Sequence, residues 1–536
     1  MTDTDKIADY ISDLLQDDGP VALVIKQQLA PIDEDERVIF PPTYPVTDWK
    51  GRVHTIRDGD YCVTIELPTG SKADKDEKTE RQRPGYQIDR FPDGTNICEI
   101  DSVQSQSNRV EPRFKKLGDG KLVPQIEIQA GNQKVNLLDI GHRAGDALVR
   151  FSTLAADIHD AFLAAKSRDF FKLATLAPTS LVFGVWDSRS TQVKQQRVFK
   201  ANIRATNVRE LSRSAQYTPP IAYVDAGAIG DDVEKKERDE SNLSQEGMVH
   251  ALSTQGIGGV TLTEKSRLLR TVTVNFEAIR GLHGTVNTTA GVDQDHGAKL
   301  QEAIDSTKQL QNYILGLALV AAFNEPELNL REGCNLKYAN GQERLAKLVY
   351  RSKPDEACPF GWDEALAFAK SAKSNFFQCA GIDENAIDRR DVKFESGIAE
   401  KFLSYSQPDR DKIRKLGPIT QQTLDRFERL RDDPFKPVID ELKKVKSLLG
   451  KRPGKKDSPV VRPETFENVA KLLEDLSKGE SLPEAAAALA AKLAQTARAH
   501  ENSHEAVKSI EDQIKDYKRA LKTETADQNT SPDSTV

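Results

Sequence analysis

The sequence predicts an α+β fold followed by a helical region, and three observations carry that reading. Short runs of strand character, VALVIKQQLAPI from Val21, YCVTIELP at 61–68 and LRTVTVNF at 269–276, are interleaved with long helical patterns in the first 415 residues. Beyond Gly417-Pro418 the strand signals stop and helical patterns alone remain. With 38% hydrophobic and 30% charged residues, the 536-residue chain is of the globular class and long enough for about two to four domains. The five cysteines (Cys62, Cys98, Cys334, Cys358, Cys379) are scattered and odd in number, which points to a reducing cytoplasm rather than a disulfide framework. Met1 is followed by acidic and polar residues, so no Sec-type signal peptide is expected. The longest apolar stretch, Tyr313 to Phe323, is too short to span a bilayer.

Taken in order, residues 5–16 form an amphipathic helix with Ile7, Ile11, Leu14 and Leu15 on one side, ended by Gly19-Pro20, and the first core strand follows. Residues 33–95 are rich in proline, glycine and charge, and GSKADKDEKTERQRPG (70–85) reads as a solvated excursion of the kind that suits a binding appendage. In ICEIDSVQSQSNRVEPRF (97–114), Ser102 caps a short helix that presents Gln104, Gln106, Asn108 and Arg109. These side chains suit ribose hydroxyls and phosphate oxygens, or equally an ordinary polar surface. From Ile140 one long helix is expected, because Ala144, Leu148, Phe151, Ala155, Ile158 and Phe162 recur at alternating intervals of four and three. Arg143, Asp146 and Arg150 share another face, where Asp146 and Arg150 have the spacing of an intrahelical ion pair. His142 reads as a capping or surface residue.

The run from Ser180 to Trp186 is apolar and reads as a buried strand. Between Ser188 and Pro220 the character changes: seven bases (Arg189, Lys194, Arg197, Lys200, Arg204, Arg209, Arg213) stand against Glu210, a local +6 in a chain of net charge −7. That contrast suits a phosphate-binding surface, with Arg189, Arg197, Arg204, Arg209 and Arg213 as candidate contacts. Phe199 and Tyr217 are candidate stacking rings. The bland alternative is a solvated edge strand. Residues 225–246 carry eight acids and three bases and read as a loop excursion, returning through GIGGVTL (256–262). That glycine-rich segment lacks the G-K-[ST] of a P-loop and does not open a helix, so a projecting finger or hairpin fits better.

Helices are expected over 297–324, ending before Pro326, and over 363–373, with a boundary near Pro408 and Gly417-Pro418. Val438, Leu442, Val445 and Leu449 then form a helical stripe, GKRPGKKDSPVVRP (450–463) a linker, and 464–478, 482–498 and 503–521 a small antiparallel bundle. Ser481-Leu-Pro-Glu484 is a capping box. A disordered tail is expected from Thr523.

Asp139, His142 and Asp146 have spacings of three and four and are the one cluster that suggests a metal-dependent nuclease. No second cluster completes a site, and Arg143 and Arg150 compete as partners. There is no G-x-S-x-G, no H-E-x-x-H and no recognisable Cys–His pairing, so a binding protein without catalytic residues or cofactor is the expectation.

Four stretches, DSVQSQSNRVEP, DIGHRAGDALVRFS, LVFGVWDSRSTQ and NVRELSRSAQY, resemble in this order the backbone subunit of type I-G CRISPR Cascade, the subtype formerly called I-U. The similarity covers residues 15–400 or so. It implies a ferredoxin-like (RRM-like) palm over 1–415, a finger insertion at 33–95 and a thumb at 225–262, the last by order in the chain. It implies a non-catalytic, cytoplasmic subunit that stacks with copies of itself along a guide RNA, which in turn pairs with target DNA. The other Cascade subunits, large and guide-processing, would be partners, and the helicase-nuclease an indirect one; no membrane is involved. By resemblance the RNA-facing residues are Gln104, Gln106, Asn108, Arg109, His142, Arg143, Arg189, Arg209, Arg213, Gln216 and Tyr217. Residues 416–522 depart from the family as an appended helical region. Type I-G systems lack a separate small helical subunit, so this region stands in for it or serves as a docking appendage; nine bases against fourteen acids over 463–536, a net −5, disfavour contact with a nucleic-acid backbone.

Overall fold

In the computed structural model the residues described are 3–46, 54–58, 61–65, 83–223, 225–229, 246–248, 250–285, 296–383, 390–431, 439, 469–474, 484–499 and 508–516. They combine helices and strands in an α+β arrangement, and the chain divides into two compact units, 1–420 and 421–536.

The first unit is organised on one antiparallel sheet. Its central strands are β1 (Ala22–Pro31), β2 (Asn96–Asp101), β3 (Phe199–Thr206), β6 (Arg267–Asn275) and β8 (Leu345–Val349), in the spatial order β8-β1-β6-β3-β2. β7 (Cys334–Tyr338) continues alongside the far end of β1. Alternation decides which face is buried. The register sets Leu23, Val274 and Phe199 in one row, Ile25, Val272 and Ala201 in the next, Gln27, Arg270 and Ile203 in a third, and Leu29, Leu268 and Ala205 in a fourth. All twelve are buried. The intervening residues, Lys26, Lys200, Thr271 and Thr273 among them, are exposed or half-buried on the opposite face.

Helices cover the apolar face. α4 (His296–Phe323) runs against β3 and β6 and packs on α5 (Trp362–Cys379). From Leu310 onward its buried residues fall on every side, as expected of a helix enclosed by protein, and the chain leaves helix at Asn324, two residues before Pro326. Tyr313 stacks on Phe376 at 5.0 Å between ring centres and donates its hydroxyl to the Leu122 carbonyl. α1 (Asp3–Asp13) buries Ile11 in the same core, with Leu14 just beyond its end.

Two segments depart from expectation. The long helix expected from Ile140 is broken into a short 3-10 turn at Arg143–Gly145, one helical turn at Ala147–Arg150, and α3 (Ala155–Lys166), and another 3-10 turn, Leu137–Asp139, precedes it. The apolar spacing is satisfied because each piece turns its hydrophobic residues to the same core. The Ser180–Trp186 run is buried as expected through Val185. Its first part, however, belongs to a short helix (Thr179–Phe183), with only Val185–Trp186 extended.

The glycine-rich return is a strand: β5 (Ala251–Thr261) pairs antiparallel with β4 (Arg209–Tyr217) in a two-bulge ribbon. The paired strands flank the expected 225–246 excursion, of which residues 230–245 lie outside the described residues. Val38–Ile39 pairs with the base of β5. In the 33–95 region Thr43–Val46 pairs with Arg83–Tyr86 and His54–Asp58 with Tyr61–Ile65, and 66–82 lies outside the description.

The second unit has a core of Val469, Ala470 and Leu473, of Ala490, Leu493, Ala494 and Ala497 from α6 (Glu484–Ala499), and of Ile510 and Ile514. The stripe at 438–449 (Val438, Leu442, Val445 and Leu449), the linker 450–463, Ser481 of the capping box and the tail from Thr523 lie outside the described residues.

Candidate nucleic-acid interface

α2 (Val103–Val110) begins at Ser102, whose hydroxyl accepts from the Ser105 N–H at 3.2 Å. The helix divides the expected polar residues between two faces. Gln104 and Asn108, one turn apart, are exposed and joined by a 3.0 Å hydrogen bond. Gln106 is buried, donating to Asp101 at 2.7 Å and accepting from Arg270 Nε at 3.1 Å. Arg109 donates to Asp101 and to the Leu330 carbonyl. Asp101, with no exposed surface, also accepts from Ser105 and Arg331. Gln106 and Arg109 are thus held by an internal network, which corrects the expectation that all four face a ligand. Arg270 sits in the same network with no exposure, and burial pushes its guanidinium down to about 10.

The turn His142–Gly145 and the segment Gly184–Trp186 build the opposite wall. Arg143 adopts left-handed backbone (φ 53) and points inward, donating to Glu111 at 2.6 Å and to the Gly184 carbonyl at 3.1 Å. It is buried, so the expectation that it faces RNA is corrected too. Burial pushes the Glu111 carboxyl up to about 7 against the pull of Arg143. Gly145 is required here, since a Cβ would stand 2.9 Å from the Trp186 carbonyl oxygen. Gly184 combines φ 81 with ψ 150, and a Cβ would meet Arg197 at 3.1 Å. These close approaches leave Trp186 57% exposed at the rim, with the Lys194 ammonium 5.6 Å from its ring centre.

Between the walls lies a cleft of about 880 Å³. Its polar lining comes from Gln104, Asn108, His142, the buried Arg143, Ser188, Lys194 and the Gln195–Arg197 run, and among the described residues no carboxylate lines it. Arg197 donates to Gln104 at 3.5 Å; burial first, then the nearby charge of Arg143, push its guanidinium down. Arg197 is half-buried and has no acidic partner among the described residues, which favours an anion, and the exposed indole adds a stacking surface. Trp186 and Lys194 are the residues that sequence reasoning missed as site residues. The signal was a tryptophan in LVFGVWDSRSTQ, read there as the end of a buried strand.

The remaining candidates are dispersed. Arg189 is exposed in the loop after Trp186, which Asp187 holds by accepting from Ser190 and Thr191. Arg204 lies on the polar face of the sheet, 3.7 Å from Glu99. Arg209, Arg213, Gln216 and Tyr217 are exposed on β4, with Arg213 over the Phe40 ring. Phe199 is fully buried against Phe183, which corrects its reading as a stacking platform. The basic stretch is therefore several surfaces rather than one.

Asp139 is bound by Lys115 at 2.6 and 2.9 Å. Asp146 caps the following turn through Leu148 N–H at 2.9 Å, with His142 3.4 Å away, rather than serving Arg150 within a helix. Among the described residues no three His, Cys, Asp or Glu side chains are grouped to hold a metal ion, and no helix is long and apolar enough to cross a membrane.

Residues 23–210 match the family model described as CRISPR-associated protein GSU0053 (Cas_GSU0053). The matched span includes β1, α2, the His142–Gly145 turn, the Trp186 loop and β3, and it supports a CRISPR-associated role. No curated protein matches the chain.

Proposed function

We propose that the chain is a guide-RNA-binding backbone subunit of a type I-G Cascade, without catalytic activity of its own. The observation that carries this reading is the cleft itself: cations, amides and an exposed indole with no lining carboxylate, inside a span that matches a CRISPR-associated family. The strand order supports a ferredoxin-like palm. Taking β1, β3, β6 and β8 as first to fourth, they lie 4-1-3-2 in space, all antiparallel, with helices in the first and last connections. The β4–β5 ribbon, inserted between the second and third of these strands, supports the thumb, and its exposed Arg209, Arg213, Gln216 and Tyr217 support a second contact with RNA.

On this reading the protein is cytoplasmic, copies line up along the guide, and target DNA is engaged by pairing with that guide. The other Cascade subunits complete the assembly, and the helicase-nuclease acts on it from outside. The grip is sequence-tolerant, because phosphate and stacking contacts carry little base information. The test is to purify the full chain from cells carrying the repeat–spacer array and to extract its nucleic acid. RNA of repeat–spacer length is expected, left intact on incubation with divalent metal. Protein free of RNA that also fails to bind added guide would refute the reading. Metal-dependent cleavage abolished by Asp146→Ala would replace it with a nuclease.

A further inference from the structure

A second cleft, of about 550 Å³, lies against the first and shares Lys194, Gln195 and Gln196 with it. Its other charged lining residues are Lys166 in the last turn of α3, Arg168 just after it, and Glu277, which is already paired with Arg351. Lys166 and Arg168 are exposed and have no acidic partner among the described residues. Arg168 (φ 69) and Gln192 (φ 64) both hold left-handed backbone, as Arg143 does beside the first cleft. Three of the five such non-glycine residues among those described therefore line the two cavities. Such conformations cost free energy and tend to cluster where a loop must present a side chain to a ligand.

We infer that the second cleft is a phosphodiester subsite for the same single-stranded RNA, continuing its path over the Lys194–Gln196 ridge. The inference rests on the RNA-binding reading of the first cleft. Lys166 and Arg168 each take a phosphate there, while the amides of Gln192, Gln195 and Gln196 offer donors and acceptors to sugar and base edges without fixing a sequence. Lys194 serves the junction, since its ammonium stands over the Trp186 ring and the residue lines both clefts.

The test uses the full-length protein and labelled oligouridylates graded from a few nucleotides to guide length. Wild type, Trp186→Ala and the double variant Lys166→Gln/Arg168→Asn are compared; Asn tolerates the left-handed backbone at 168. In wild type, affinity should rise with length as the second cleft fills. In the double variant, short oligomers should bind as in wild type, the gain with length should shrink, and the log-salt slope on long RNA should fall by about 1.4, or about 0.7 for each lost phosphate contact. Trp186→Ala should weaken oligomers of every length. A double variant that keeps the wild-type length dependence and slope overturns the subsite. So does one that loses only stability, the outcome if Lys166 merely complements the carbonyl end of α3, or only self-association, the outcome if the cleft receives another protein chain. If Trp186→Ala also binds as wild type, the first cleft falls with it, which separates the failure of the two readings.

Discussion

Gln104 and Gln106 stand two positions apart in one motif, the first at the cleft and the second in the core against Arg270 and Asp101. Their alanine variants should separate cleanly. Gln106→Ala leaves the buried Arg270 Nε without its acceptor, and stability should fall by about 1–3 kcal/mol in urea titration. Gln104→Ala should leave stability within about 0.5 kcal/mol of wild type while weakening RNA. Equal effects on folding would contradict this division. Glu111 gives a pH dependence. Its folded-state value of about 7 lies above the ordinary 4.5, so between those two pH values the folded chain binds more protons than the unfolded one. This group's contribution to stability is therefore present at pH 4.5 and lost as pH rises to 7, by no more than about 3 kcal/mol. Comparing urea midpoints at both ends of that window, Glu111→Gln should lose this component; an unchanged profile would show that Glu111 titrates at its ordinary value.

β1, β6, α4 and the Ser102 cap were legible in the sequence because each follows one strong local rule: alternation, sustained apolar helix, or a serine before a short helix. The segment from Ile140 to Phe162 was not, because core-facing residues in successive short turns reproduce helical spacing, while the left-handed Arg143 that breaks the helix has no sequence signature. The run at 180–186 is short and apolar, a case where periodicity does not separate strand from helix. Of the site, Gln104, Asn108, His142 and Arg197 were legible as exposed or cationic residues, whereas burial of Gln106 and Arg143 depends on partners far along the chain, Arg270 and Glu111. At this scale the β4–β5 ribbon carries its own prediction. Replacing Arg209 and Arg213 with Gln and Tyr217 with Ala should leave the thermal midpoint nearly unchanged. The log-salt slope of RNA binding should fall by about 1.4, with a further loss of about 1–3 kcal/mol from stacking. Wild-type binding by that folded triple variant would remove the ribbon from the interface.

Across the whole chain a net charge of −7 coexists with a cleft that no acid lines among the described residues. On the proposed reading, attraction to RNA is local, and the acidic remainder limits indiscriminate binding. The measurement that tests this most directly is a salt series with guide-length single-stranded RNA, run on the wild-type chain and on Lys194→Gln/Arg197→Gln. Log affinity should fall linearly with log salt in the wild type, and the variant's slope should be shallower by about 1.4, equally on guides of unrelated sequence. A wild-type affinity indifferent to salt, or a folded variant that keeps both wild-type affinity and slope, would contradict the account.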